Sequence, residues 1–316
     1  MFGFRSDGVR VRDVAAEATL IPYIMKTRND ATNYTLLDIR CEKMDEWIKE
    51  KREKEGEVFS YMDILLASAV RIYALRPKLN RFTIGNRIYQ RNGLYVSFTA
   101  KRGLSDEAPD NTMKMRFTGR ENIYQVRDIL NNAIKESTKG QNDTDKTANI
   151  LKILPAWLTN FGVGCFKLMD KLGILPKKII DVSPFHTSFY FTNLKSLRGD
   201  WIFHHIYNFG TTGMFFSIGK EKQQPVVEDD EIKIGKVLTL GITTEERYCD
   251  GFYFVRSVRM WKKLLETMTG LEEELDIEPI ESKKERKKRL KQLAKEEKLK
   301  AQTEAQEVEV NTIEEK

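Results

Sequence analysis

Hydrophobic and polar positions fall into two rhythms over the first 270 residues. Residues 9–25 repeat apolar side chains at helical spacing and predict a helix. Residues 34–41, YTLLDIRC, read as a strand, and 42–53 as a charged surface helix. Residues 59–75 form a strongly apolar helical stretch. Ser60, with Asp63 three residues on, is a capping pair for its start, and Pro77 stops it. Two β-rich runs, RFTIGNRIYQ and LYVSFTAKR, flank Arg91-Asn92-Gly93 and predict a hairpin about that turn. Residues 112–118 predict a strand, 121–136 an amphipathic helix and 137–147 a polar loop. The stretch 148–175 is helical and very apolar, interrupted by Pro155 and by Gly162 and Gly164. Strands are expected at 187–192, 201–207, 213–218 and 232–242, and a closing helix at 250–268. This order neither alternates strictly nor segregates, which predicts an α/β fold with helices packed on a mixed sheet.

A third pattern begins after Gly270. Residues 283–300 hold ten Lys/Arg against three Glu, and no aromatic follows Trp261. Such a stretch buries too little apolar surface to order itself by packing, although its residues are good helix formers. The expected division is therefore a domain over 1–275 and a charged tail, helical or disordered, over 276–316. The tail reads as solvated. Contact with RNA or a membrane surface through its basic run is the alternative.

Composition narrows the classes further. Apolar residues make up 41% of 316, enough for a sizeable core. The net charge of +6 is mild for this length, and nucleic acid is not expected as a partner. The apolar run 153–166 is closed by Lys152 and Lys167 and is too short to cross a bilayer. The first residues carry no apolar leader segment. Cys41, Cys165 and Cys249 form no CxxC pair, so neither a zinc ribbon nor a disulfide framework is expected, and the simplest compartment is a reducing cytoplasm.

Phosphate-loop, dinucleotide, nucleophile-elbow and HExxH motifs are all missing. The three histidines are His186, His204 and His205. Adjacent His204 and His205 would face opposite sides of a strand and so would not share a metal, and no metal site is expected. Cys249 has no histidine near it in sequence and reads as a small buried thiol rather than a nucleophile.

Three stretches in order carry more information: RPKLNRFTIGNRIYQRNGLYVSFTAK from Arg76, PFHTSFYFTNLKSLRGDWIFHHIYNFGTTGMFFSIG from Pro184, and EERYCDGF from Glu245. Together they resemble the catalytic domain of the dihydrolipoyl acyltransferases of 2-oxo acid dehydrogenase complexes, whose fold is that of chloramphenicol acetyltransferase. Pro77 and Asn80 match the family's Pro-x-x-Asn segment. Thr192-Asn193-Leu194 matches its S-N-L strand, with Lys195 in place of a glycine. Glu245, Arg247, Asp250 and Gly251 match D-H-R-x-x-D-G with one conservative change. The resemblance spans about residues 5–270, and lipoyl and peripheral-subunit-binding domains are not expected in this chain.

The resemblance implies a homotrimer with its site at the subunit interface, coenzyme A or an acyl-CoA as substrate, and an acceptor of unknown identity. Acyl transfer needs a base for the acceptor and a donor for the tetrahedral oxyanion. By position Thr192 supplies the donor, Asp250 and Gly251 shape the turn behind the base, and Asn193 and Arg247 support them. The base position is Glu246 where the family has His. A glutamate has an ordinary pKa of about 4.3 against about 6.5 for histidine, so it is the weaker base near pH 7. Three readings follow: a catalytically inactive relative acting in binding or assembly, an acyltransferase with Glu246 as base, or one in which His186, His204 or His205 has taken over. His186 and Thr192 are about 20 Å apart along an extended strand, so their direct pairing would need a neighbouring subunit.

Overall fold

The computed structural model describes residues 5–101, 110–138 and 154–296. By its contacts the chain forms two compact units, Met1–Ile280 and Glu281–Lys316. In chain order the first half of unit one contains β1 (Gly8–Arg10), α1 (Ala16–Ile24), β2 (Thr32–Arg40), α2 (Glu42–Glu55), α3 (Tyr61–Leu75), β3 (Arg81–Ile84), β4 (Arg87–Arg91), β5 (Leu94–Lys101) and β6 (Asp110–Phe117). It continues with α4 (Ile123–Thr138), α5 (Ala156–Leu172), α6 (Lys177–Val182), β7 (Phe189–Asn193), β8 (Met214–Ile218), β9 (Lys222–Glu228), β10 (Glu231–Glu245) and α7 (Gly251–Thr267). The second unit is helical over 283–296, opened by a capping box in which Ser282 and Glu285 exchange hydrogen bonds.

The main sheet runs β2-β10-β8-β7-β5-β6, with β9 folded back on the first half of β10. The pairs β5–β7 and β7–β8 are parallel and the others antiparallel, so the sheet is mixed as expected. Alternation decides the faces. Phe189, Phe191, Phe216, Leu238, Leu240 and Ile242 point into one core with the apolar sides of α3, α4 and α7. α3 is buried along nearly its whole length, which explains its lack of a polar face. Its start is held by the expected Ser60–Asp63 capping box. Trp261 of α7 donates its indole N–H to Ser68 Oγ at 2.8 Å, so the one polar atom of that ring is satisfied inside the core.

The opposite face of the sheet is covered differently. Tyr190 and Phe215 stack there at 4.8 Å and pack with Ile206. The segment 201–207, expected as a strand, is instead an extended strap lying across the sheet. Its Ile202 N–H donates to Ser217 Oγ, which in turn donates to the Ile202 carbonyl. A side chain at Gly241 would come within 2.3 Å of Ile202 O, so glycine at this point of β10 lets the strap lie flat. The strap is not a ladder partner because its backbone bonds to a side chain, and hydropathy alone does not distinguish the two.

Other expectations shift. The helix expected over 9–25 starts only at Ala16, because Val9 pairs with Gln90 in a small sheet β1-β4-β3. The hairpin turns at Gly85-Asn86 inside the first β-rich run, where both residues have positive φ, 56° and 58°. Two consecutive positive-φ residues are what a tight two-residue hairpin turn requires. Asn92-Gly93 instead passes the chain from the small sheet to β5. α5 begins directly after Pro155 and runs through Gly162 and Gly164 without a break. β9, absent from the hydropathy reading, forms a hairpin with β10 through Asp229 and Asp230, both at positive φ. The expected loop beyond residue 138, the first part of the expected 148–175 helix, and the tail beyond residue 296 lie outside the described residues.

Candidate functional site

β7 presents its residues alternately. Phe189 and Phe191 enter the core, so Thr192 emerges on the strap side, half-buried, in register with Ser217 of β8. Asn193 ends the strand. Its side-chain oxygen accepts the backbone N–H of Ser196 at 3.3 Å and starts a 3-10 turn over Leu194–Leu197.

Glu246, Arg247 and Tyr248 form another 3-10 turn after β10. Glu246 is half-buried, and its Oε2 accepts Asn33 Nδ2 at 2.5 Å. Arg247 turns inward. Its Nε donates to Glu245 Oε1 at 2.6 Å, and its Nη1 donates to the carbonyls of Met25 and Lys26 at 3.1 and 3.3 Å. Glu245 is fully buried and also pairs with Arg28 at 2.8 Å. Burial holds the Arg28 guanidinium below its ordinary value, and Glu245 opposes that shift. Asp250 is the N-cap of α7, accepting the Tyr253 N–H at 2.8 Å, with Lys78 Nζ 4.0 Å away. Gly251 opens the helix, and a side chain there would meet nothing within 4 Å.

The register separates these groups. Thr192 lies opposite Ser217, and Ser217 opposite Gly241. β10 runs four residues further, to Glu245, at about 3.3 Å each, so roughly 13 Å of strand separates the level of Thr192 from the turn that carries Glu246. A single chain therefore joins Glu246, Arg247, Asp250 and Gly251 at one end of the sheet and leaves Thr192 and Asn193 towards the other.

The histidines also have defined places. His186 is 1% exposed, so it is a buried side chain and not an open base. Its Nε2 lies 3.1 Å from Asp170 Oδ2 and its Nδ1 2.8 Å from Ser183 Oγ. Asp170 also takes Arg5 Nη2 at 2.7 Å, and Arg5 pairs with Asp7. Burial pushes the His186 imidazole below its ordinary value against the pull of Asp170, while Arg5 and His186 hold Asp170 low. Lys114 reaches the same region and donates to the carbonyls of Ile180 and Ser183 at 2.6 and 3.1 Å. Its ammonium is pushed down to about 7 by burial. His204 and His205 do not face opposite sides. Their rings sit 4.6 Å apart on the strap, and His204 stacks on Phe215 at 3.8 Å. A strand would have alternated them; the irregular strap does not. Among the described residues no cluster of three metal-ligating side chains occurs. Cys249 is buried and its thiol is pushed up to about 12, which is the state of an inert core thiol.

Asp170, Ser183, Arg28 and Lys114 were not singled out from the sequence. Asp170 had one available signal: it is the one acid among the apolar and basic residues of 151–180. Ser183 stands three residues before its partner His186, while the partners of Arg28 and Lys114 are distant in sequence, and no spacing rule reaches them.

Comparison with known proteins places these observations. Residues 189–272, which contain Thr192, Glu246, Asp250 and Gly251, match the family described as 2-oxoacid dehydrogenases acyltransferase (catalytic domain). No curated protein matches the chain. Among solved structures, a probable dihydrolipoamide acetyltransferase from Listeria monocytogenes is similar at 12% identity and a TM-score of 0.51, over 83% of this chain and 96% of that one. The cubic core of a pyruvate dehydrogenase multienzyme complex is similar at 11% identity and a TM-score of 0.52, over 83% and 94%. A truncated catalytic core of the 2-oxoacid dehydrogenase multienzyme complex from Thermoplasma acidophilum is similar at 11% and 0.50, over 82% and 99%. At these identities the structural likeness is one of fold, and it bears out the expected α/β, chloramphenicol acetyltransferase-like architecture. The chain thus carries the acyltransferase catalytic-domain signature of the 2-oxoacid dehydrogenase family over residues 189–272, set in the fold of those catalytic cores.

Proposed function

We propose that this protein transfers an acyl group between coenzyme A and an acceptor, at a site closed between protomers of a homotrimer. The supporting observation is the separation of Thr192 from Glu246 within one protomer. Both lie at half-buried positions on rims of the sheet, so a constellation containing both requires two chains. In this reading Glu246 takes the proton from the acceptor's hydroxyl or thiol as it attacks the thioester carbonyl. Thr192 of the adjoining protomer donates its hydroxyl hydrogen bond to the oxyanion. Collapse breaks the carbon–sulfur bond, and the coenzyme A thiolate leaves and regains the proton. Asp250 fixes the helix start behind Glu246, and the buried Arg247–Glu245–Arg28 group holds the turn.

A second reading, a non-catalytic binding or assembly protein on the same fold, is favoured by one feature: Glu246 stands where the family has histidine and is engaged by Asn33. Titration calorimetry with coenzyme A and acetyl-CoA separates the two. Saturable micromolar binding is expected for the enzyme, with turnover nearly abolished in Glu246→Gln and the fold intact. No binding at pH 7 or 8.5 leaves the assembly reading. Binding with unchanged turnover in Glu246→Gln removes Glu246 as the base.

A further inference from the structure

α5 is turned the wrong way for a helix of a closed globule. At 100° per residue Trp157, Phe161, Leu168 and Leu172 form one stripe, and that stripe faces outward. Trp157 is 71% exposed, Phe161 67% and Leu168 57%, while the buried residue of the helix is Asp170. Beside the stripe on the same helix lie Lys167 and Lys171, which carry no ion pair among the described residues. They border a cleft of about 240 Å³ also lined by Lys26, Arg28 and Arg247 and by the Asp170 carboxylate that Arg5 neutralises, with the Gly85-Asn86 turn and Asn208 at its rim. Over α5 and α6, residues 154–182, the chain has four lysines and two acids: Asp170 is neutralised inside by Arg5 and His186, and Asp181 pairs with Lys177, which leaves α5 itself with Lys167 and Lys171.

We propose that α5 docks on an anionic phospholipid surface, its Trp157–Leu172 stripe in the acyl–headgroup boundary and a lipid phosphate in the lysine-lined cleft. An outward apolar stripe rich in aromatics, flanked by lysines and without exposed acid, has the composition of an in-plane interfacial helix. The charge pattern favours lipid over a twofold partner: a twofold contact through the stripe would set Lys167 and Lys171 near their own equivalents, whereas anionic lipid compensates them. A threefold contact, in which the stripe meets a different face of the next copy, is an outcome of the test.

The test uses the full-length protein with vesicles of phosphatidylglycerol and of phosphatidylcholine, read by cosedimentation and by tryptophan emission. Expected is binding to phosphatidylglycerol with a blue shift that Trp157→Phe removes, since Trp47 and Trp261 are already buried and the half-buried Trp201, packed on Phe203 of the strap, is left unchanged in that variant. Phe161→Asp should abolish binding with the melting temperature unchanged. Lys167→Gln/Lys171→Gln should weaken it roughly 25-fold, each lysine near an anionic surface being worth about fivefold. The charged segment 281–316 is unaltered in these variants, so a loss on Phe161→Asp belongs to α5. Equal binding to both lipids, or binding that survives Phe161→Asp, overturns the proposal. So does inorganic diphosphate binding in the cleft without vesicle binding, which assigns a soluble anion. Dissociation of an oligomer by Phe161→Asp, with Trp157 shielded from quencher before vesicles are added, overturns it in favour of self-association.

Discussion

Lys114 and Asp250 show what single side chains do here. The Lys114 amine is pushed down to about 7 by burial, against an ordinary 10.5, yet it keeps two carbonyl partners, Ile180 and Ser183. A neutral amine has two N–H groups, enough for both. Between pH 7 and about 10 the unfolded chain holds the proton that the folded chain has released, so stability rises with pH across that window. Lys114→Met should flatten this rise, measured as the slope of unfolding free energy against pH in denaturant titrations. The same slope in wild type and variant would contradict the assignment. His186, held low by burial, acts in the same sense below pH 6.5: the unfolded chain takes up a proton there before the folded one does, and stability falls as pH drops. Asp250 is the simpler case. As the N-cap of α7 it satisfies the Tyr253 N–H, and Asp250→Ala should cost about 1 kcal/mol. Asp250→Asn should restore most of that, because the amide oxygen still accepts. Thermal unfolding of the two variants measures both.

Elements were legible in proportion to how locally their causes act. α3 is a good case: the capping pair Ser60–Asp63, an unbroken apolar run and Pro77 are all adjacent in sequence, and the observed helix follows them. β2, β8, β10 and α7 were likewise readable from period and propensity. The small sheet was not. Val9 looks like the start of an amphipathic helix until Gln90, eighty-one residues away, claims its backbone. The strap over 201–207 has strand-like composition, and its departure from a ladder depends on Ser217 and Gly241 lying beneath it. α5 carries the opposite lesson. Its apolar face was visible in sequence, but that the face points outward depends on where the rest of the fold sits.

The whole molecule adds an arrangement that no single element contains. The sheet holds Thr192 and Glu246 at different ends, so under the proposed function each complete site draws on two protomers. Light scattering should then give a trimer. Mixing two inactive variants, Thr192→Val and Glu246→Gln, by co-refolding should restore up to about a quarter of wild-type turnover, the share of interfaces at which both intact residues meet by chance. No recovery in mixed trimers, with each variant singly inactive, would place both residues in one protomer's site and contradict the register argument.

By itself the sequence determined the fold class, most of the long elements, the capping of α3 and the positions of the acyltransferase-like motifs, because periodicity, capping and motif spacing are local properties of the chain. By the resemblance it also put Glu246 at the position read as the base. Tertiary structure alone decided which of these motifs meet. The distance between Thr192 and Glu246 is set by strand register, the burial of His186 by Asp170 and Ser183, the pairing of His204 with His205 by the strap, and the outward face of α5 by the packing of everything else. Apart from the Ser183–His186 contact, each depends on residues that only the fold brings together, for which the sequence carries no local signal.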